Sequence, residues 1–204
     1  MSSRRRRIAR GHNLNLRPAA LLVVAGLEVA CSVPPVSPVH DLKLLHVDVV
    51  EPSQIPKQDK FWDYKTPLVR VEFSSMTDFQ NVANTWVYWI GNRVSPCADK
   101  SIDEKRLIEG YPDVFDQTAS VYTYDKRKTS RTSRDTSAPI IYHIYFAPQQ
   151  SVRGWRTYDL VRNPADVCFA VVGFGERLPI GFRSNTVVIS RQMLIDALER
   201  AGLK

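Results

Sequence analysis

The 204-residue chain is poor in the residues that carry most enzymatic chemistry, with three cysteines, four histidines and nine glycines. Behind residue 30 the histidines are His40, His46 and His143. No two of them are spaced to share a helical face and none belongs to a Cys-His cluster, so a zinc site is not expected. Gly173-Phe-Gly175 lacks the third glycine and the following helix of a dinucleotide loop. A Gly-x-Ser-x-Gly nucleophile elbow is also missing. The longest apolar run, within Pro18–Ala30, has about ten residues and is followed closely by Glu28, short of the roughly 20 that a membrane span needs. Carboxylate pairs such as Asp113 and Asp116 fall in loop-like sequence. The expectation is a binding protein and not an enzyme, with no catalytic residues, no metal and no cofactor.

What is present begins with an address. Six arginines (Arg4, Arg5, Arg6, Arg7, Arg10, Arg17) precede the apolar run, and small residues follow it up to Cys31. That order of charge, apolar core and small residues is the order of an export signal. Leu27-Glu28-Val29-Ala30-Cys31 resembles the lipobox of bacterial lipoproteins, with Glu28 standing where that family has an aliphatic residue and Leu27 one place early. The resemblance implies diacylglycerol on the Cys31 thiol, cleavage before Cys31 and acylation of the new amino group. Ser32 in place of Asp resembles outer-membrane sorting. Two alternatives stay open: a secretory signal cut near Ala30 with Cys31 an ordinary thiol, and an uncut inner-membrane anchor. The expected organisation is a signal peptide over 1–30, a proline-rich tether over 31–40 and one domain over 41–204.

Removing the leader changes the charge. The whole chain has 28 basic and 21 acidic residues, but residues 1–30 hold six arginines and one glutamate, leaving 22 and 20. The basic character is a property of the leader, and the inference to nucleic acid falls with it. Three cysteines are an odd number in an exported protein. If Cys31 carries lipid, Cys97 and Cys168 remain as one pair in an oxidising compartment. The alternative is that Cys168, between Val167 and Phe169, is a buried free thiol.

Ser32–Val39, with three prolines, favours extended geometry and reads as a spacer. Leu42 to Val49 alternates with a one-residue slip between Leu44 and Leu45, as a bulge produces. Glu51 to Thr66 reads as a loop with Phe61, Trp62 and Tyr64 as a flap over the core. Pro67–Phe73 places Val69, Val71 and Phe73 on one side. Asn84–Gly91, apolar on both faces, reads as a central strand. Ser101 with Glu104 has the pattern of a capped short helix. Ser120–Asp125, Pro139–Phe146, Trp155–Val161, Asp166–Phe174 and Asn185–Ile189 read as strands. A terminal helix opens at Ser190, carries a stripe of Met193, Leu194, Ala197 and Leu198, and stops at Gly202. The succession describes an all-β, mainly antiparallel fold, a β-sandwich with a C-terminal helix, and the immunoglobulin-like arrangement is among those it allows.

A nine-residue run, Lys126–Arg134, contains five cations: Lys126, Arg127, Lys128, Arg131 and Arg134. It reads either as a solvated loop tip or as an arm that docks on an acidic partner or anionic lipid. Asp166-Val-Cys-Phe-Ala-Val and Gly181-Phe-Arg-Ser-Asn-Thr-Val-Val-Ile189, behind a lipobox, resemble the type VI secretion immunity lipoproteins of the periplasm. That resemblance implies a tethered domain that binds and neutralises a toxin delivered by a neighbouring cell. Other readings stay open: a structural lipoprotein of an envelope-spanning secretion or conjugation machine, and an envelope enzyme or glycan binder using Trp62, Trp86 or Trp155. Expected partners are a protein and the membrane.

Overall fold

The computed structural model describes residues 39–56, 65–85, 89–117, 120–121, 137–149, 158–174 and 181–204. The alternation read from Pro67 onward is realised in β2 (Leu68–Ser75), which pairs antiparallel with β1 (Lys43–Val50) on one side and β5 (Ile140–Phe146) on the other. Between Leu44 and His46 the register shifts, as the slip in apolar phase predicts. The second sheet is built on β6 (Val167–Phe174), where every residue but the last is buried. It pairs antiparallel with β3 (Trp89–Ala98), with β7 (Gly181–Arg183) and with β8 (Val187–Ile189). The two-residue β4 (Ser101–Ile102) pairs with the end of β3.

Val69, Val71 and Phe73 of the first sheet and Phe169 and Val171 of the second point into one core, and the Phe73 and Phe169 rings meet at 5.3 Å between centroids. The first, second and fifth strands thus form one layer, and the third, fourth, sixth, seventh and eighth form the other. Residues 110–115 add to the free edge of β5 through bridges of Gly110 with Phe146 and Phe115 with His143. With those bridges counted as a fourth strand, the order follows A-B-E-D against C′-C-F-G of the immunoglobulin sandwich, and β8 departs from it by pairing with β6 beside β7. The disulfide is placed differently from that of antibody domains. Cys97 and Cys168 join neighbouring strands β3 and β6 of one sheet instead of bridging the two layers.

Besides a 3-10 turn at Pro52–Gln54, the described residues contain two α-helices. The terminal one, α2 (Arg191–Arg200), starts where expected: the Ser190 hydroxyl accepts from the Met193 N–H at 3.3 Å, and Gly202 follows its end at φ +68°. Leu194, Ala197 and Leu198 are buried in the core, whereas Met193, expected in the stripe, is exposed. The other, α1 (Phe79–Thr85), takes in Asn84 and Thr85, expected to open the strand Asn84–Gly91, and β3 begins only at Trp89. Asp78 opens it, its carboxylate accepting from the Asn81 N–H at 3.0 Å, and the buried Phe79 packs on Tyr142. The helix expected from Ser101 is also corrected. Asp99 and Lys100 both adopt positive φ, 48° and 60°, which makes a two-residue hairpin from β3 into β4 and leaves no room for a cap. Tyr158–Val161, expected in a strand, is irregular and then turn, with Leu160 fully buried. Residues 122–125 and 155–157 of the expected strands, and Phe61, Trp62 and Tyr64, lie outside the described residues.

Residues 97–116 seal both sheets. On the outer face of the second, Ile102 and Leu107 pack with Cys168, Ala170 and Val188. The stretch then crosses the edge of β3, where the Ile108 N–H donates to Val94 and the Asn92 N–H to Pro112. On the outer face of the first sheet, Tyr111 and Phe115 pack with Val50, Leu68 and Tyr145. The crossing is pinned by Asn92, whose side-chain amide donates to the Tyr111 and Asp113 carbonyls at 2.8 Å each. It approaches closely enough to require glycine: a Cβ on Gly110 would lie 2.4 Å from the Tyr145 carbonyl oxygen.

Candidate interaction face

The outer face of the first sheet gathers two paired sets of ionisable groups on adjacent strands. Alternation sends Val69, Val71 and Phe73 inward, so Leu68, Arg70, Glu72 and Ser74 point outward. Register then builds rows across three strands: Asp48–Arg70–Tyr145, His46–Glu72–His143 and Lys43–Ser74–Ile141. Arg70 grips Asp48 with two bonds, Nε to Oδ1 at 2.9 Å and Nη2 to Oδ2 at 2.5 Å. That bond to Asp48 raises the Arg70 guanidinium above its ordinary range against the opposing effect of burial. His143 Nε2 lies 3.2 Å from Glu72 Oε2. Tyr145 is 2% exposed, and burial pushes its hydroxyl up to about 12. Pairs of this half-exposed kind contribute up to about 1 kcal/mol each.

The face is graded. At the Val50–Leu68 end it is covered by Tyr111 and Phe115, whose rings meet Tyr145 edge-on at 6.2 and 5.1 Å. Toward the other end, Lys43, Leu45 and His46 are exposed, as is Met76, the residue after β2. Mutually satisfied charges beside aliphatic side chains suit recognition: Arg70 and Glu72 are held by partners, and Tyr145 stays protonated at neutral pH.

The residues singled out from sequence are distributed unevenly. Cys97 and Cys168 are brought together as a disulfide. Cys31, the cations Lys126, Arg127, Lys128, Arg131 and Arg134, and Trp62, Trp86 and Trp155 lie outside the described residues. His40 and His46 are exposed on the approach to and within β1, apart from the buried His143. Asp113 accepts from the Trp89 indole N–H at 3.3 Å, and Asp116 is buried. Among the described residues no three metal-ligating side chains gather. Sequence reasoning missed the Asp48–Arg70 and Glu72–His143 pairs, because the partners are 22 and 71 positions apart. The outward position of Arg70, opposite Val69 and Val71, was the available signal. No family model matches the chain, and neither a curated protein nor a solved structure matches it.

Proposed function

We propose that this chain is a membrane-anchored periplasmic lipoprotein that protects its cell by binding and neutralising a toxin of the type VI secretion class. The observation that carries the reading is the Cys97–Cys168 disulfide. It fits an oxidising compartment and leaves Cys31, directly behind the export signal, as the one cysteine without a partner among three. A cross-linked sandwich whose interior is filled by aromatic and branched side chains leaves its outer faces for contact with a partner. Its paired outward charges favour binding over catalysis. Electrostatic complementarity on such a surface sets association rate and specificity.

The test is to isolate the tagged chain from envelopes of cells challenged by a toxin-delivering sibling strain. One stoichiometric small protein, whose toxicity the chain relieves, is the expected result. Co-isolation of a large set of envelope-machine subunits instead would replace the immunity reading by the structural one. The anchor is tested separately: Cys31→Ser is expected to leave the protein soluble or uncleaved, and unchanged mass and membrane fractionation would remove the lipid from the proposal.

A further inference from the structure

We propose that the end of the first sheet at which the chain enters the folded domain docks on the lipid surface, with Leu45, Met76 and Lys43 as its contact. This rests on the anchored reading above. Leu45 is 47% exposed and Met76 45%, while the opposite end of the same sheet face is sealed, with Leu68 fully buried and Tyr145 2% exposed. Both exposed side chains have a structural cause. Leu45 is the residue the bulge leaves out of register between Leu44 and His46, and Met76 follows the last residue of β2. Lys43 and Ser74, an opposed pair, stand between them, and half-buried Ile141 lies across from Ser74. Asp41 ties this patch to the chain entry, its carboxylate accepting from the Ser75 hydroxyl at 2.8 Å and from the Met76 N–H.

Chain length selects lipid as the occupant. The described domain starts at Val39, and the seven residues from Ser32 to Pro38 span at most about 25 Å when fully extended. Acyl chains on Cys31 therefore hold the patch beside the bilayer at an effective lipid concentration that a diffusing protein does not reach. Aliphatic side chains beside an exposed lysine match an interface of acyl chains and anionic headgroups. An acylated anchor already binds stably, so docking shows in orientation rather than in affinity.

The experiment uses the full mature chain in vesicles of phosphatidylethanolamine and phosphatidylglycerol. A polarity-sensitive dye is carried in turn on Leu45→Cys, Met76→Cys and, as the control, exposed Met193→Cys on α2. Brominated acyl chains are expected to quench the first two several-fold more than the third. Equal quenching at all three positions, or none at Leu45 and Met76 in protein shown by mass to be acylated, overturns docking and leaves the anchor standing. If mass analysis instead finds Cys31 unacylated, the anchor fails, and the same chain is titrated with these vesicles. Binding that falls about ten-fold or more in Leu45→Asp/Met76→Asp then upholds the patch, and binding that is absent or insensitive to those changes overturns it.

Discussion

Breaking the Cys97–Cys168 bond is expected to destabilise the domain by roughly 4 kcal/mol, through the unfolded chain more than through the folded one. The two cysteines are separated by 71 residues. In the folded state β3 and β6 are already held side by side from Trp89–Phe174 to Pro96–Val167, so the bond adds little that the ladder does not supply. In the unfolded state it closes a long loop, and removing it returns that entropy. Urea unfolding of the oxidised chain, of the same chain in reductant and of Cys97→Ala/Cys168→Ala separates the contributions. Reduction alone reports the cross-link, since a Cys168 thiol, fully buried beside Ile102 and Ala170, packs as a small apolar group. The alanine pair adds a small cavity cost on top. The m-value is expected to rise on reduction as the released chain exposes more surface. Each single alanine variant is expected to come close to the double, because either one abolishes the bond. A loss below about 1 kcal/mol on reduction, with an unchanged m-value, would refute the loop-closure reasoning.

Three further outcomes follow from the geometry. Asn92→Ala takes a donor from one buried and one partly buried carbonyl and is expected to cost about 1–3 kcal/mol in urea unfolding, with Asn92→Asp costing more because its carboxylate faces the same two oxygens. Gly110→Ala places a methyl 2.4 Å from the Tyr145 carbonyl and 2.7 Å from the Phe146 Cα, so it is expected to destabilise by at least about 1–3 kcal/mol. Gly181→Ala, whose nearest contact is 3.2 Å, is the milder control, and equal losses would argue against the close approach. Tyr145, held protonated up to about 12 by burial, has a folded value above the unfolded one near 10. Its contribution is complete below pH 10 and lost as pH rises through 12. Tyr145→Phe is therefore expected to flatten the fall in stability over that window, and an unchanged pH profile would exclude the assignment.

The parts legible in the sequence are those in which one local pattern decides the structure. Period-two alternation across Val69, Val71 and Phe73 suffices for β2, the phase slip at Leu44 and Leu45 for the bulge, and a hydroxyl ahead of a periodic apolar stripe for α2. Where two local patterns compete, sequence misleads. Ser101 and Glu104 have the spacing of a helix cap, but Asp99 and Lys100 turn the chain back first, and Ser101 is consumed as a hairpin residue whose hydroxyl bonds to the Ala98 carbonyl. Asp78 was a usable sign of α1, overshadowed by the aromatic run that follows it. The paired charges on the first sheet were illegible for another reason. Which outward residue faces which depends on the register of strands far apart in the chain, and register is a property of the whole sheet.

The same non-local logic explains why β5 and β6 are buried along almost their whole length, on both faces. In an open sandwich each would alternate, since one side of each sheet meets water. Here the chain between Cys97 and Asp116 supplies a second cover to both layers. Ile102 and Leu107 lie over the outside of β6, and Tyr111 and Phe115 over the outside of β5, with Ile108 and Val114 contributing to the central core between them. One segment of alternating destination therefore converts two half-wet sheets into layers buried on both sides. The crossing works because Asn92 satisfies two of its carbonyls and glycine stands at position 110 where the segment meets β5. Among the described residues this segment covers the Val50–Leu68 end of the first sheet, while Lys43, Leu45 and Met76 at the other end are exposed, so the reach of one connection grades that face from sealed to open.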